Sequence, residues 1–444
     1  MKLLTTILFV LIFFNLHAQF TINTYSVNSA NPYGILVGKG RNDGLNRIYL
    51  TTKAGKVQEW TWNGRNGWNM LNIPTPASLV INKLIYLTLG DARNDEKNRL
   101  YFAQFAGGTK VYESVFVNNQ WQTIEIGTET GNVGSLIIDD LVGDNVKKLY
   151  VSGISGVFEY KWNATAGNFS RTFLGKGGNY GSEGPNIITD IRGTGSKNMY
   201  LCGSTLYELN KNSNDYSISP ILQPNDYTEM VVAGAGRNDS KNRLYFANST
   251  GRLEYSWINN TWERTELASS GDGRSAINVA KIHNDGKERV YMSQPLGDLT
   301  EYTWDNTSQN YTSRQVIDAT SGATSLIATG NARNDNIIRM YVPAYSKNKL
   351  YEITSNSPLI SQIAAFNNAD QFVKFHSTLF QSTLSFQLFD EALISIYDIS
   401  GKCVLSKMFF HGNHQILSSN WHSGFYIIQA HNLQNKLVFK VLKL

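Results

Sequence analysis

A tyrosine carried by the stretch Gly40-Arg41-Asn42-Asp43-Gly44-Leu45-Asn46-Arg47-Ile48-Tyr49-Leu50 returns as Tyr101, Tyr150, Tyr200, Tyr245, Tyr291 and Tyr341. Seven degenerate copies of one unit therefore follow each other at intervals of 45 to 52 residues. A unit this short cannot bury its own apolar face and has to stack on its neighbours. Each copy holds short strand-like runs separated by Gly and Asn turns, and no segment shows sustained helical periodicity. The 9 Trp, 23 Tyr and 21 Phe point the same way, because aromatic side chains fit a pleated, half-buried surface. The pattern predicts an all-β chain whose main domain is a seven-bladed β-propeller.

Within the first copy the expected strands are Ile35 to Gly38, innermost, then Ile48 to Thr52, Val57 to Trp62 and Trp68 to Ile73. The seventh copy has Ser325 to Ala328, Met340 to Pro343 and Lys349 to Ile353, but no fourth strand. The alternating segment Phe20 to Val27, which precedes the first copy, is the candidate to complete it and close the ring, removing the exposed edges. Upstream, Lys2, the apolar run Leu3 to Phe14 and the small Ala18 read as a signal peptide cleaved after Ala18. From about Ile363 the repeat gives way to alternating runs at Phe372 to Phe375, Leu384 to Leu388, Ile394 to Lys402, Gly424 to Ile428 and Leu437 to Val441. These predict a small β-sandwich. The expected organisation is a signal peptide at 1–18, a propeller at 19–360 and a C-terminal domain at 361–444.

In that last domain the run Ile394 to Lys402, the segment Trp421-His422-Ser423-Gly424-Phe425-Tyr426-Ile427 and the basic end Lys436 to Leu444 resemble the C-terminal sorting domain of the type IX (Por) secretion system of Bacteroidetes. One departure is that Trp421-His422 stands where the family has Leu-Pro before Ser-Gly. The resemblance implies that the tail engages the type IX machinery, directs passage across the outer membrane, and is then removed or used for attachment. It places the protein at the outer-membrane surface or in the medium.

The formal charge of +5 is spread through the repeats with no basic run, which excludes a nucleic-acid footprint. No transmembrane segment is expected beyond the short signal run, and the chain is expected to be a monomer. The two cysteines, Cys202 and Cys403, fall in different domains and are expected to be free thiols.

Inside each copy an acid stands six residues before the marker tyrosine: Asp43, Asp95, Asp144, Asp239, Asp285 and Asp335, with Thr194 in the fourth. Two before it come Arg47, Arg99, Lys148, Arg243, Arg289 and Arg339, with Asn198 in the fourth, and a glutamate follows on the third strand at Glu59, Glu113, Glu159, Glu208, Glu254, Glu301 and Glu352. A catalytic group is needed once per site, whereas a structural group is needed once per blade, so these residues read as a blade clasp. His283 takes an arginine position in the same motif. The loops also resemble, at a distance, FG-GAP-type propeller repeats, whose Asp-x-Asp-x-Asp-Gly loop binds calcium. Here Arg41, Arg93, Arg237 and Arg333 stand where that loop has an acid, which disfavours calcium; no cofactor and no metal site is predicted. The aromatic pairs Trp62 with Trp68, Phe116 with Trp121, Trp162 with Phe169, Trp257 with Trp262 and Trp304 with Tyr311 read as packing between blades.

Asymmetry in a ring marks where function has been added, so the non-repeated loops leading into the fourth, fifth and sixth blades supply the candidate ligand-binding residues: Tyr180, Glu183, Asp226, Tyr227, Glu229, Asp272 and Arg274. The fourth copy, lacking Asp and Arg, is the predicted weak blade. No catalytic constellation stands out: there is no HExxH, no P-loop and no nucleophile elbow. The expected function is a binding module for glycans or surface proteins; the alternative is a polysaccharide lyase or glycosidase using acids such as Glu183, Asp226 and Asp272.

Overall fold

The computed structural model describes residues 20–443 apart from 29–30, 66, 77–78, 80–82, 107, 177–184, 213–214, 222–226, 271–274, 284, 295–296, 323–325, 356–371, 376–378, 381 and 433–435. The expected signal peptide lies outside the described residues. The chain divides into two compact units, residues 1–357 and 358–444.

The first unit consists of seven four-stranded antiparallel sheets. Blade one runs Pro32–Gly38, Arg47–Thr52, Val57–Trp62 and Trp68–Ile73, and blades two to six repeat that order. The second strand of most blades, such as Arg47–Thr52 or Arg99–Gln104, is buried at every position. A neighbouring blade covers each of its faces, which is why these strands are apolar almost throughout instead of alternating. The seven marker tyrosines sit on these strands and are fully buried.

The seventh blade contains Ala328–Gly330, Arg339–Ala344 and Lys349–Ser355, and its outermost strand is Phe20–Ser26. That strand pairs antiparallel to Lys349–Ser355, with Phe20 opposite Ser355 and Ser26 opposite Lys349. The first strand of the fold thus closes the ring, as the sequence predicts. The first strand of this blade starts three residues later than its predicted beginning at Ser325, which itself is not among the described residues.

Antiparallel order gives the ring two different faces. Each chain segment enters a blade on the innermost strand, so the turn after the first strand and the turn after the third share one face. The turn after the second strand and the loop leading into the next blade share the other. The repeated Arg-Asn-Asp turns lie on the first, called here the clasp face; the non-repeated loops lie on the second, the loop face. Near the clasp face the innermost strands come close together. A Cβ added to Gly38 would lie 2.4 Å from Leu89, and one added to Gly330 would lie 2.6 Å from Val37, so glycine is required there for blade-to-blade contact.

The second unit holds a three-stranded sheet, Val373–Phe375, Thr383–Leu388 and Gly412–Leu417, and a five-stranded sheet ordered Leu379–Phe380, Lys436–Lys443, Gly424–His431, Ala392–Asp398 and Cys403–Phe409. Val373, Leu384, Phe386 and Leu388 of one sheet share a core with Ile394, Ile396, Tyr426, Ile428 and Val441 of the other. This is the predicted sandwich, with one correction. The expected strand Ile394 to Lys402 ends at Asp398, whose carboxylate accepts from the backbone N–H of Ser400 and Lys402 at 2.9 and 3.0 Å, and Gly401 takes a φ of +83°. That side-chain-capped turn sends the chain back as Cys403–Phe409, a strand the sequence pattern does not reveal because its apolar residues do not alternate. Gly412–Leu417 also escapes the pattern.

Candidate functional site

In most blades the clasp is built from two ion pairs. In blade one the Arg47 guanidinium donates to both oxygens of Asp43 at 2.8 and 2.6 Å, while Arg41 donates to both oxygens of buried Glu59, Nε at 3.0 Å. Tyr49 adds its hydroxyl to Glu59 at 3.3 Å. Blade two repeats this with Arg99 on Asp95 at 2.7 and 2.6 Å, Arg93 on Glu113 at 2.9 and 2.5 Å, and Tyr101 on Glu113 at 2.9 Å. Blade seven does so with Arg339 on Asp335 and Arg333 on Glu352, and blade five with Arg243 on Asp239 and Arg237 on Glu254. The arginine fork holds Asp43, Asp95, Asp239 and Asp285 down at about 2.

The arginine that holds the glutamate also joins one blade to the next by stacking on an aromatic ring. Arg41 lies 4.1 Å from the Phe116 ring centre, Arg93 3.8 Å from Trp162, Arg192 4.1 Å from Trp257, Arg237 3.8 Å from Trp304 and Arg333 3.8 Å from Trp62. The cation is thus held by a carboxylate in its own blade and by a π face in the following one. The predicted aromatic pairs are real, with ring centres 5.1 to 5.5 Å apart. They also reach back: Trp121 meets Tyr49, Phe169 meets Tyr101, Trp262 meets Tyr200 and Trp68 meets Tyr341, all edge-on. An asparagine in the turn adds two hydrogen bonds across the seam. Asn94 Nδ2 donates to the Lys147 carbonyl at 2.9 Å, and the Lys147 N–H donates to Asn94 Oδ1 at 2.8 Å. Asn42, Asn238 and Asn334 do the same.

The seam from blade six to blade seven uses different chemistry for the same purpose. His283 stands in the arginine position and Ser355 in the tryptophan position, and His283 bridges Glu301 at 2.5 Å and Ser355 Oγ at 2.6 Å. Arg314, from the outermost strand, completes Glu301 at 2.6 Å and stacks 4.7 Å from the Phe20 ring. The expectation that His283 belongs to the blade motif is met.

The predicted weakness of the fourth blade needs correcting. Thr194 and Asn198 do replace the outer pair, but Arg192 donates to both oxygens of Glu208, Asn198 Nδ2 adds a bond at 2.8 Å and Tyr200 another at 3.0 Å. Arg192 was legible in the sequence, two residues before Thr194. The blade that lacks the inner cation is the third, where Val142 fills that position.

The inner strands of blades one to three, with Pro185 and Asn186, line an open hollow of about 560 Å³. Its walls carry Leu36, Val37, Leu87, Leu89, Ile137 and Ile138, with Lys39, Asn46 and Asn98 toward the clasp face. Among the described residues no group of three or more His, Cys, Asp or Glu is placed to hold a metal ion. Outside blade three the repeated acids are occupied by arginine. Cys202 is buried and Cys403 exposed, both as free thiols.

On the loop face the described residues are no longer periodic. Tyr33 meets Tyr86 edge-on at 5.9 Å, and Tyr86 in turn meets Phe105 at 6.4 Å. Lys53 Nζ lies 4.5 Å from the Tyr345 ring centre. Of the seven sequence-predicted site residues, Tyr227 and Glu229 are described: the Tyr227 hydroxyl donates to Glu229 Oε1 at 2.8 Å, with Glu229 buried and Tyr227 half-buried. Tyr180, Glu183, Asp226, Asp272 and Arg274 lie outside the described residues. Tyr33, Phe105, Lys53 and Tyr345 were missed, since each sits at a strand end inside a repeat and carries no motif of its own.

Residues 380–443 match the family described as the secretion system C-terminal sorting domain. A comparison with curated proteins finds no match. Among solved structures the chain is similar to the BP39L lectin from Burkholderia pseudomallei, at 9% identity and a TM-score of 0.56, covering 74% of this chain and 97% of that one. It is also similar to BBS1N in complex with ARL6DN, at 12% identity and a TM-score of 0.52, covering 77% and 99%. PorZ, a surface component of the type IX secretion system of Porphyromonas gingivalis, is matched at 12% identity and a TM-score of 0.44, over 94% of this chain and 59% of that one. For the lectin and BBS1N the likeness is one of fold. No helix among the described residues is long and apolar enough to cross a membrane. The chain carries a type IX sorting domain behind a seven-bladed propeller, and that domain sends it to the cell surface or beyond.

Proposed function

We propose that the protein is a surface-delivered glycan-binding propeller that takes its ligand on the loop face. The observation that carries this reading is the set of half-exposed rings there, Tyr33, Phe105, Tyr227 and Tyr345, each next to another ring or a polar partner. Aromatic faces suit the CH-rich faces of sugars, and hydroxyl, carboxylate and ammonium groups beside them suit sugar hydroxyls. The clasp face offers no comparable set of open rings, because its aromatic pairs pack on each other, on the clasp arginines and on the tyrosines of the preceding blade. A lectin on the same fold supports the reading without carrying it.

A glycan array probed with the mature full-length chain tests this. Binding is expected to fall at least about tenfold in Tyr345→Ala and Tyr33→Ala, the scale of losing one stacked ring. Binding that is indifferent to both variants removes the loop face from consideration. Assays for new reducing ends or unsaturated uronates run alongside, and turnover of any bound glycan would favour the lyase or glycosidase reading instead.

A further inference from the structure

The seven third-strand glutamates form an internal control for one another. Six of them receive a cationic side chain at the same place: Arg41, Arg93, Arg192, Arg237 and Arg333 from the clasp turn, and His283 with Arg314 in blade six. In blades one, two, five and seven two arginines balance one aspartate and one glutamate. Blade three has Asp144, Glu159 and only one cation, Lys148, which lies 3.1 Å from Asp144 and 3.7 Å from Glu159. Its clasp carries one uncompensated negative charge.

Glu159 is also the most accessible of the seven, its side chain 13% exposed where the others range from 0 to 4%. Beyond Lys148 its partner is the Tyr150 hydroxyl at 3.3 Å. Across the seam the half-buried Tyr216 packs on the cluster that holds Tyr150, and burial together with the Glu159 and Asp144 carboxylates pushes its hydroxyl up to about 12. The position that supplies the stacking ring in most other blades is Lys211, which is exposed. Lys197 and Asp139, also at this seam, pair with each other at 2.6 Å, and Asp140 and Asp190 accept from the backbone of their own clasp turns.

We propose that the seam between blades three and four is a binding site for a guanidinium group, presented by an arginine side chain of a partner and held by Glu159 where every other blade holds its own cation. The specificity follows from the internal examples. In blades one, two, four and seven the glutamate accepts a two-pronged donor through both oxygens, which a planar guanidinium satisfies and an ammonium does not. The ring that stacks on the cation in most other seams is replaced here by Lys211, so recognition rests on the carboxylate. Lys211 opposes the ligand's charge from the rim, so its removal is expected to tighten binding.

The mature full-length chain is titrated with N-acetylarginine amide, its lysine and citrulline counterparts, and an Ala-Arg-Ala peptide, followed by calorimetry. Saturable binding of both arginine probes is expected, about tenfold weaker for lysine and absent for the neutral citrulline. Stronger binding of the peptide than of the amide identifies a polypeptide source; equal binding of the two shows that the side chain alone is read, and removes the partner polypeptide from the proposal. Glu159→Gln abolishes binding. Val142→Arg fills the site from within, blocks the probes and raises the unfolding temperature, which keeps the test open if Glu159→Gln folds poorly. Absence of arginine binding to the wild type, binding that survives in Glu159→Gln, or a Val142→Arg variant that neither blocks the probes nor gains stability would overturn the proposal.

Discussion

The seam between blades two and three and the seam between blades three and four are built on the same backbone plan but closed by different means. The first has Arg93 clamped between Glu113 and Trp162, plus the paired hydrogen bonds of Asn94 to Lys147. The second has Val142, Gly143 and Lys211 at the corresponding positions, and Asp139 where Gly38 or Gly90 permits close approach elsewhere. What holds it is the Lys197–Asp139 pair on one face, and toward the other Asn186, which donates to Ser152 Oγ at 2.6 Å and accepts from the Cys202 N–H at 2.9 Å. One seam is closed to ligands because its own groups satisfy each other; the other leaves a carboxylate in reach of solvent. A repeated clasp thus hides function through its presence and reveals it through its absence.

The difference can be broken by removing the cation from the closed seam. Arg93→Ala leaves Glu113 buried without its fork and is expected to cost about 3–5 kcal/mol, whereas Val142→Ala at the open seam should stay within about 1 kcal/mol. Urea unfolding of the two variants measures this directly. Equal losses would mean that the clasp does not stabilise the ring.

His283→Ala at the six-to-seven seam is expected to fall between these, about 1–3 kcal/mol, because Glu301 keeps Arg314 and Tyr291 while Ser355 loses its partner on this histidine. If that variant is as costly as Arg93→Ala, the histidine carries more of the ring closure than its neighbours share.

The smallest effect concerns pH. Asp43, Asp95, Asp239 and Asp285 are held at about 2, below the ordinary carboxylate value of about 4. A folded value below the unfolded one contributes stability above about pH 4, and that contribution is lost as pH falls through about 2. These acids are partly exposed, so each contributes modestly. The urea midpoint should decline between pH 5 and pH 2, and Asp95→Asn should flatten that decline. Thr194→Ala, in the blade without the acid, should leave its shape unchanged.

Much of this architecture was legible in one dimension. The tyrosine period counted the blades, the missing fourth strand of the last copy pointed to Phe20 to Val27, and the Asp, Arg and Glu positions marked the clasp. These features are local or strictly repeated, so spacing alone exposes them. The candidate site was less legible. The loops singled out by length and polarity are represented among the described residues by the Tyr227–Glu229 pair, and the rings around Tyr33 and Tyr345 had no motif to announce them. The fourth copy looked weakest because its outer pair is missing from the sequence, yet Arg192 keeps its inner clasp closed. Judging a blade by one of its two ion pairs misplaced the defect by one repeat.

The sequence by itself determined the number of blades and the closing strand, because periodicity and binary patterning dictate which surfaces must be buried, while the sorting domain was legible through its resemblance to a known family. Only the tertiary structure decided which glutamate is left short of a cation. The glutamate-bound arginines of blades one, two, four and five are each shared between a carboxylate in their own blade and a ring some 65 to 75 residues further along, as with Arg41 and Phe116 or Arg93 and Trp162, and Arg333 of the last blade reaches Trp62 of the first. Whether that partnership is complete depends on contacts between blades, which no reading within a single repeat contains.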